Sequence, residues 1–149
     1  MLSFQSKTFG ELTLQELYII LALRAEVFVI EQNCPYQDVD GKDEHAYHLL
    51  GYENTTLVAY ARVLPKGTAY TDYASIGRIV TAPNHRNKGY GHVLVEQAIQ
   101  LCKTTFSSVP IKISAQAHLE NFYKTHGFIA TGEAYLEDDI PHIGMVLRD

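Results

Sequence analysis

Hydrophobic positions along this chain change period several times, and each change marks an element. In "LSFQSKTF", Leu2 and Phe4 alternate with polar residues, the period of a strand with one wet face. The next segment switches to helical spacing. Thr13, with Glu16 three positions on, forms a capping-box start. Leu14, Leu17, Tyr18, Leu21, Ala25 and Phe28 then fall on one side of a helix, which predicts that this side faces the core. Pro35 and the Asp40-Gly41 pair make "NCPYQDVDGKDE" a loop. "HAYHLLGY" and "TLVAYARVL" follow as strands joined by the polar turn Glu53-Asn54-Thr55, and "SIGRIVT" is a third that ends at Pro83.

The stretch from Arg78 to Cys102, "RIVTAPNHRNKGYGHVLVEQAIQLC", runs from an apolar β-branched segment through a basic, glycine-containing turn into a helix. Beyond it, "VPIKISAQ" is a short strand and "LENFYKTHGF" a short helix. Leu119, Phe122, Tyr123 and His126 share that helix's inner side, and Gly127 sits where a left-handed stop is expected. "IATGEAYLE" and "HIGMVLR" read as two closing strands. The predicted order is β-α-β-β-β-α-β-α-β-β, an α+β domain with a mixed sheet. Residues 1–149 are expected to form one domain, since no repeat, low-complexity tract or linker divides them.

Composition narrows the function classes. A chain of 149 residues that is 46% hydrophobic and 19% charged suits one core of ordinary size. It has no apolar run of about 18 residues, so no membrane span is expected. The start, "MLSFQSKTFG", has neither the basic segment nor the apolar run of a signal peptide. A cytoplasmic protein is expected, with Cys34 and Cys102 as free thiols. A net charge of −5 speaks against non-specific nucleic-acid binding, which needs broad positive surface.

Against that acidic background the basic turn stands out. Gly89 and Gly91 bare the backbone where a ligand must come close. The helix opening there offers about four unpaired N–H groups and about half a positive charge, and Arg86 and Lys88 add cations. Together they suit a phosphate or pyrophosphate; a plain turn with solvated charges is the competing reading. The turn is not a P-loop, because Lys88 precedes Gly89 and Tyr90 follows it. Nor is it a dinucleotide fingerprint, because Leu94 stands where the third glycine belongs and Ile111 to Ile113 carry no acid.

"RNKGYG" resembles the Arg/Gln-x-x-Gly-x-Gly/Ala signature of the GNAT N-acetyltransferases, and "NFYKTHGF" resembles the family's second signature. The predicted order of elements is similar to the GNAT fold over nearly the whole chain. "VFVIEQNCPYQDVDGKDEHAYHLLGY", "LVAYARVL", "IGRIV", "AQAHLENFYKTHGF" and "EDDIPHIGM" are similar to segments of its ElaA-like subfamily. The resemblance implies direct transfer of an acetyl group from acetyl-CoA, as co-substrate, to an amine.

It also implies roles for residues. Arg86 and the backbone amides of Asn87, Lys88, Gly89, Tyr90, Gly91 and His92 would hold the CoA pyrophosphate. Pantetheine would lie along Ile79, Val80 and Thr81 as an added strand does. Gln116 stands where many relatives have an Asn that contacts pantetheine, and Asn121 is a further candidate contact. An N–H near Val80 or Thr81 would stabilise the oxyanion, and Tyr123 would protonate the leaving thiolate.

The base that deprotonates the amine is not singled out by the sequence. Glu31, His48 and His142 are the candidates, and "IKIS" lacks the Glu that many relatives carry on the fifth strand. Arg78 interrupts its apolar strand, either to orient a substrate carboxylate or to make an internal salt bridge. Asp43, His45 and His48 suggest metal ligands, but on an alternating strand the two histidines point to opposite faces, so no metal is expected. The acceptor is a small-molecule or peptide amine of unspecified kind. The acidic "QDVDGKDE" loop leans towards a cationic one, and a homodimer is admitted but not specified. The alternative functions are a non-catalytic acyl-CoA-binding or sensing module and a small phosphate-metabolite enzyme.

Overall fold

A computed structural model of the chain describes residues 2–148. The strands are β1 (Leu2–Thr8), β2 (Tyr47–Glu53), β3 (Thr56–Leu64), β4 (Ala74–Thr81), β5 (Ile111–Gln116), β6 (Ile129–Ala130), β7 (Tyr135–Glu137) and β8 (Ile140–Leu147). The helices are α1 (Leu14–Arg24), prolonged by a π-helical turn Ala25–Glu31, then α2 (Tyr90–Phe106) and α3 (Glu120–Lys124). All strands join one sheet in the order β1-β2-β3-β4-β5-β8-β6, with β7 also on β8. β4 and β5 pair in parallel because α2 crosses over between them, and the remaining pairs are antiparallel.

β3 sits in the middle, buried on both faces. On one face Ala59, Ala61 and Val63 meet Leu94, Val95 and Ala98 of α2. On the other, Tyr60 with Leu50 and Val80 meets Ile20, Leu23 and Val27 of the first helix. The first helix starts as its sequence requires. Thr13 Oγ1 accepts from Glu16 N at 3.0 Å, and Glu16 Oε1 accepts from Thr13 N at 2.8 Å.

Its buried face differs from the predicted one. Leu14 and Tyr18 are 88% and 76% exposed, and the inward residues are Ile20, Leu23, Arg24 and Val27. The inward stripe contains a charge, Arg24, so a count of apolar positions selects the neighbouring stripe. The predicted strand over 129–137 is also two strands. Gly132, at φ 126°, parts β6 from β7. Asp138 and Asp139, both left-handed, turn β7 into β8 as a tight hairpin. His45 lies in the turn Asp43–His45 before β2 and not on a strand.

One departure from regular pairing opens the molecule. β4 and β5 are in register only at Ala74↔Ile111 and Ser75↔Lys112, and beyond these residues they part. β4 follows β3 instead: its register shifts opposite Ala61, around Arg78 at φ 49°, and Ala82 N still donates to Val58 O at 2.8 Å.

Candidate active site

Where β4 and β5 part, a cleft of about 950 Å³ enters the sheet. Ile79, Val80 and Thr81 of β4 line it, with their β5-facing edge unpaired. The glycine turn closes one end. Asn87 and Gly89 both adopt left-handed backbone, at φ 65° and 77°, and α2 begins at Gly89 without a side-chain cap. Left-handed residues alternating with extended or helical ones point successive N–H groups into one concavity, which favours an anion. The helix start adds unpaired amides from Tyr90, Gly91 and His92.

The cations of the turn are already engaged. Arg86 donates to both oxygens of Glu31, at 2.8 and 2.6 Å, and this exposed pair lowers the Glu31 pKa. Lys88 reaches Glu53 at 3.5 Å, and Tyr90 hydroxyl donates to the same carboxylate. Arg86, Asn87, Gly89, Tyr90, Gly91 and His92 line the cleft, as does Glu31, whereas Lys88 lies outside the lining. His92 packs on Phe122 with ring centroids 4.6 Å apart, and its Nδ1 lies 2.9 Å from His126 Nε2.

Tyr123 is 7% exposed and borders the cleft, its ring edge-on to Phe122 and Phe128. Burial pushes its hydroxyl up to about 12, so it is protonated at neutral pH. Gln116 ends β5 in the cleft lining. Asn121 is exposed on α3 and is absent from that lining; His118 and Leu119 of the preceding turn and Phe122 and Tyr123 of α3 contribute to it.

The three candidate bases separate. His48 is fully buried away from the cleft, with Nε2 on Asp43 O at 2.9 Å and Nδ1 on Tyr60 hydroxyl at 2.6 Å, and burial lowers its pKa. It pins the Asp43 turn to the sheet. Glu31 is occupied by Arg86. His142 lines the cleft, 8% exposed, with Nδ1 donating to Ile140 O at 2.7 Å.

Arg78 reaches the cleft but is bound to the acidic loop, 2.8 Å from Asp38 and 3.4 Å from Asp40. Arg24 and Arg62 hold the same loop. Arg24 contacts Asp38 at 2.9 Å and Asp43 at 2.7 Å, and Arg62 contacts Asp40 at 2.8 Å and Asp43 at 3.1 Å. Three of the four carboxylates that lean towards a cationic acceptor in the sequence, Asp38, Asp40 and Asp43, are therefore neutralised from within. Burial alone would raise the Asp40 and Asp43 carboxyls, but the guanidinium bonds outweigh it and both are lowered.

Of a second wall of the cleft, the sequence singled out Gln116 and His142 but not Ser114 or Glu137. Ile111, Ile113 and Ala115 of β5 point into the core, so Lys112, Ser114 and Gln116 lie on its other face. Gly144 and His142 stand opposite Ser114 and Gln116 on β8. Across Gly144, Ser114 Oγ donates to Glu137 Oε1 at 3.0 Å and accepts from Tyr135 hydroxyl. The carboxylate absent from β5 is thus present beside it, carried by β7. The signal was the strict alternation of "IKISAQ"; its partner on β7 lies 21 to 23 residues away.

The sequence matches the profile of the acetyltransferase (GNAT) domain over residues 11–148. The chain belongs to the GNAT family. Protein ElaA of Escherichia coli is 44% identical over 147 residues, covering 97% of this chain and 95% of ElaA. The crystal structure of that ElaA superposes with a TM-score of 0.92 over 99% of both chains, at 42% identity. An acyl-CoA N-acyltransferase of Pseudomonas aeruginosa superposes with a TM-score of 0.94 over 99% of both chains, at 45% identity. A GNAT acetyltransferase of Elizabethkingia anophelis solved with acetyl-CoA bound shares the fold, with a TM-score of 0.65 and 17% identity over 99% of this chain and 97% of that one. The chain is thus an ElaA-like GNAT protein with an acyltransferase fold. Among the described residues of this GNAT chain, no group of three or more His, Cys, Asp or Glu is placed to hold a metal, and no helix is long and apolar enough to cross a membrane.

Proposed function

We propose that this GNAT protein transfers an acetyl group from acetyl-CoA directly to an amine. The observation that carries the reading is the parting of β4 from β5 between an amide-lined turn and Tyr123. Acetyl-CoA fits that arrangement chemically. Its pyrophosphate suits the left-handed turn at Asn87 and Gly89, and its peptide-like pantetheine suits the unpaired edge at Ile79 to Thr81. Gln116 offers an amide donor and acceptor at the far strand's end. Arg86 would exchange Glu31 for phosphate oxygens, and such charge-assisted bonds are strong when bidentate.

The chain's groups then divide the chemistry. An amide of Val80 or Thr81 stabilises the oxyanion formed by attack on the thioester. Tyr123 gives its proton to the departing sulfur. A high phenol pKa is compatible with this task because burial raises a thiol as well; Cys102, buried in the neighbouring core, is pushed up to about 12. Acetyl-CoA and the buried free thiols of Cys34 and Cys102 both suit the cytoplasm.

Thiol release from acetyl-CoA, followed across a panel of primary amines, tests the reading. Amine-dependent release with formation of the N-acetyl product is expected. Calorimetric binding of acetyl-CoA without any such release would make the protein a binding module.

A further inference from the structure

We propose that Glu137 and His142 form the fork that receives the acceptor amine, that His142 is the base that deprotonates it, and that the site takes primary amines bearing no carboxylate beside the amino group. The proposal rests on the acetyl-transfer reading above and goes on to name the base and the acceptor class.

The fork is built from both sides. His142 is 8% exposed, and its Nδ1–H is committed to Ile140 O at 2.7 Å. In the neutral imidazole the lone pair is then on Nε2, which has no hydrogen-bond partner among the described residues. Tyr135 stacks on the ring with centroids 6.4 Å apart and holds its plane. Glu137 has Oε1 fixed by Ser114 at 3.0 Å, and Ser114 is held in turn by Tyr135. Its other oxygen, Oε2, lies 3.8 Å from His142 Nε2. Two acceptors that far apart do not bond each other. One nitrogen ~2.8 Å from both could donate to both, at an angle an ammonium can span. Both residues line the cleft that Tyr123 borders.

The charges around the cleft select the acceptor. Lys42, Arg62, Arg78 and Arg86 line it, but the first three face an aspartate of the loop, Asp38, Asp40 or Asp43, and Arg86 faces Glu31. Glu137 faces the His142 ring and the Ser114 hydroxyl, with no Lys or Arg salt bridge among the described residues, and Asp138 lines the cleft beside it. Against these two carboxylates stands Lys112, held over the Tyr70 and Tyr73 rings and paired with no carboxylate among the described residues, so the balance beside the fork is negative. The rings of Tyr36 and Tyr70 also line the cleft, and each already carries a cation, Arg78 at 5.5 Å and Lys112 at 4.9 Å. An acceptor carboxylate would meet Glu137 and Asp138 together, two charges that outnumber the single ammonium of Lys112 over Tyr70.

The proton count closes. The bound ammonium gives one proton to His142 Nε2, and the amine attacks the acetyl carbon, forming the C–N bond. As the C–S bond breaks, sulfur takes its electron pair and the proton of Tyr123. The second nitrogen proton, shed as the amide forms, restores Tyr123 through solvent, and His142 returns its own to solvent. One proton is released overall.

The test pairs amines with α-amino acids of the same skeleton: phenethylamine with phenylalanine, and tyramine with tyrosine. Rates are measured for wild type, His142→Ala and Glu137→Gln, with acetyl-CoA binding and thermal melting followed for each. Wild type should prefer the carboxylate-free member by tenfold or more in kcat/KM. His142→Ala should lose about 10²-fold in kcat, with acetyl-CoA affinity kept and part of the rate restored by added imidazole. Glu137→Gln, at an exposed position, should raise the amine KM about tenfold and shrink the preference. Preference for the amino acids, or a His142→Ala enzyme with undiminished kcat or one deaf to imidazole, overturns this proposal while acetyl transfer stands. A wild type that binds acetyl-CoA and acetylates no amine overturns the acetyl-transfer reading, and this one with it.

Discussion

Tyr123 and Glu31 show how a side chain's neighbours decide its chemistry. Burial keeps the Tyr123 hydroxyl protonated, and edge-on contacts with Phe122 and Phe128 fix the ring without using the hydroxyl. Tyr123→Phe should therefore fold normally, bind acetyl-CoA as wild type does, and lose about 10²-fold in kcat; steady-state rates beside calorimetry measure both. Glu31 stands in the place of a ligand, since its carboxylate holds the guanidinium that a pyrophosphate would need. An exposed pair of this kind contributes little to stability. Glu31→Gln is expected to leave the melting temperature unchanged and to tighten CoA binding by about two- to fivefold, seen in titrations with and without the substitution. The family resemblance pointed to Tyr123 and the sequence offered Glu31, His48 and His142 as candidate bases; Tyr123, Glu31 and His142 line the cleft and His48 does not. A histidine in an apolar strand has the same letter whether its nitrogens face a ligand or, as here, a tyrosine and a carbonyl.

At the scale of elements, the glycine turn was the most readable feature because its chemistry is local. A left-handed residue before an uncapped helix is demanded by the backbone itself, and Gly89 at φ 77° supplies it. A Cβ there meets nothing within 4 Å, so replacement acts through conformation alone. Gly89→Ala should cost about 1–2 kcal/mol of stability and weaken CoA binding, and urea titration with and without CoA separates the two effects. The first helix was readable in extent and misread in orientation, because its inward stripe includes Arg24. The closing segment over 129–137 was misread as one strand because Gly132 breaks it, and the carboxylate of Glu137 went unnoticed with it.

Across the whole molecule, the acidic loop is clamped to the sheet by Arg24, Arg62 and Arg78, which makes stability depend on carboxylates remaining charged. Asp40 and Asp43 are lowered on folding, so their contribution is complete above the unfolded aspartate value of about 4 and is lost as pH falls through the lower folded values. Urea midpoints should hold steady from neutral pH to about pH 5 and decline below. Asp40→Asn should lower the neutral plateau and flatten the acidic decline. The sequence by itself carried the family, through motifs that resemble it, the order of elements as far as β5 and α3, and the place of the glycine turn, because motifs, periodicity and turn geometry are all local in the chain. Only the tertiary structure decided which charges are neutralised, which way the first helix faces, and that Ser114, Glu137 and His142 meet. Those facts depend on contacts between residues far apart in the chain, and a one-dimensional pattern carries no distance across the sheet.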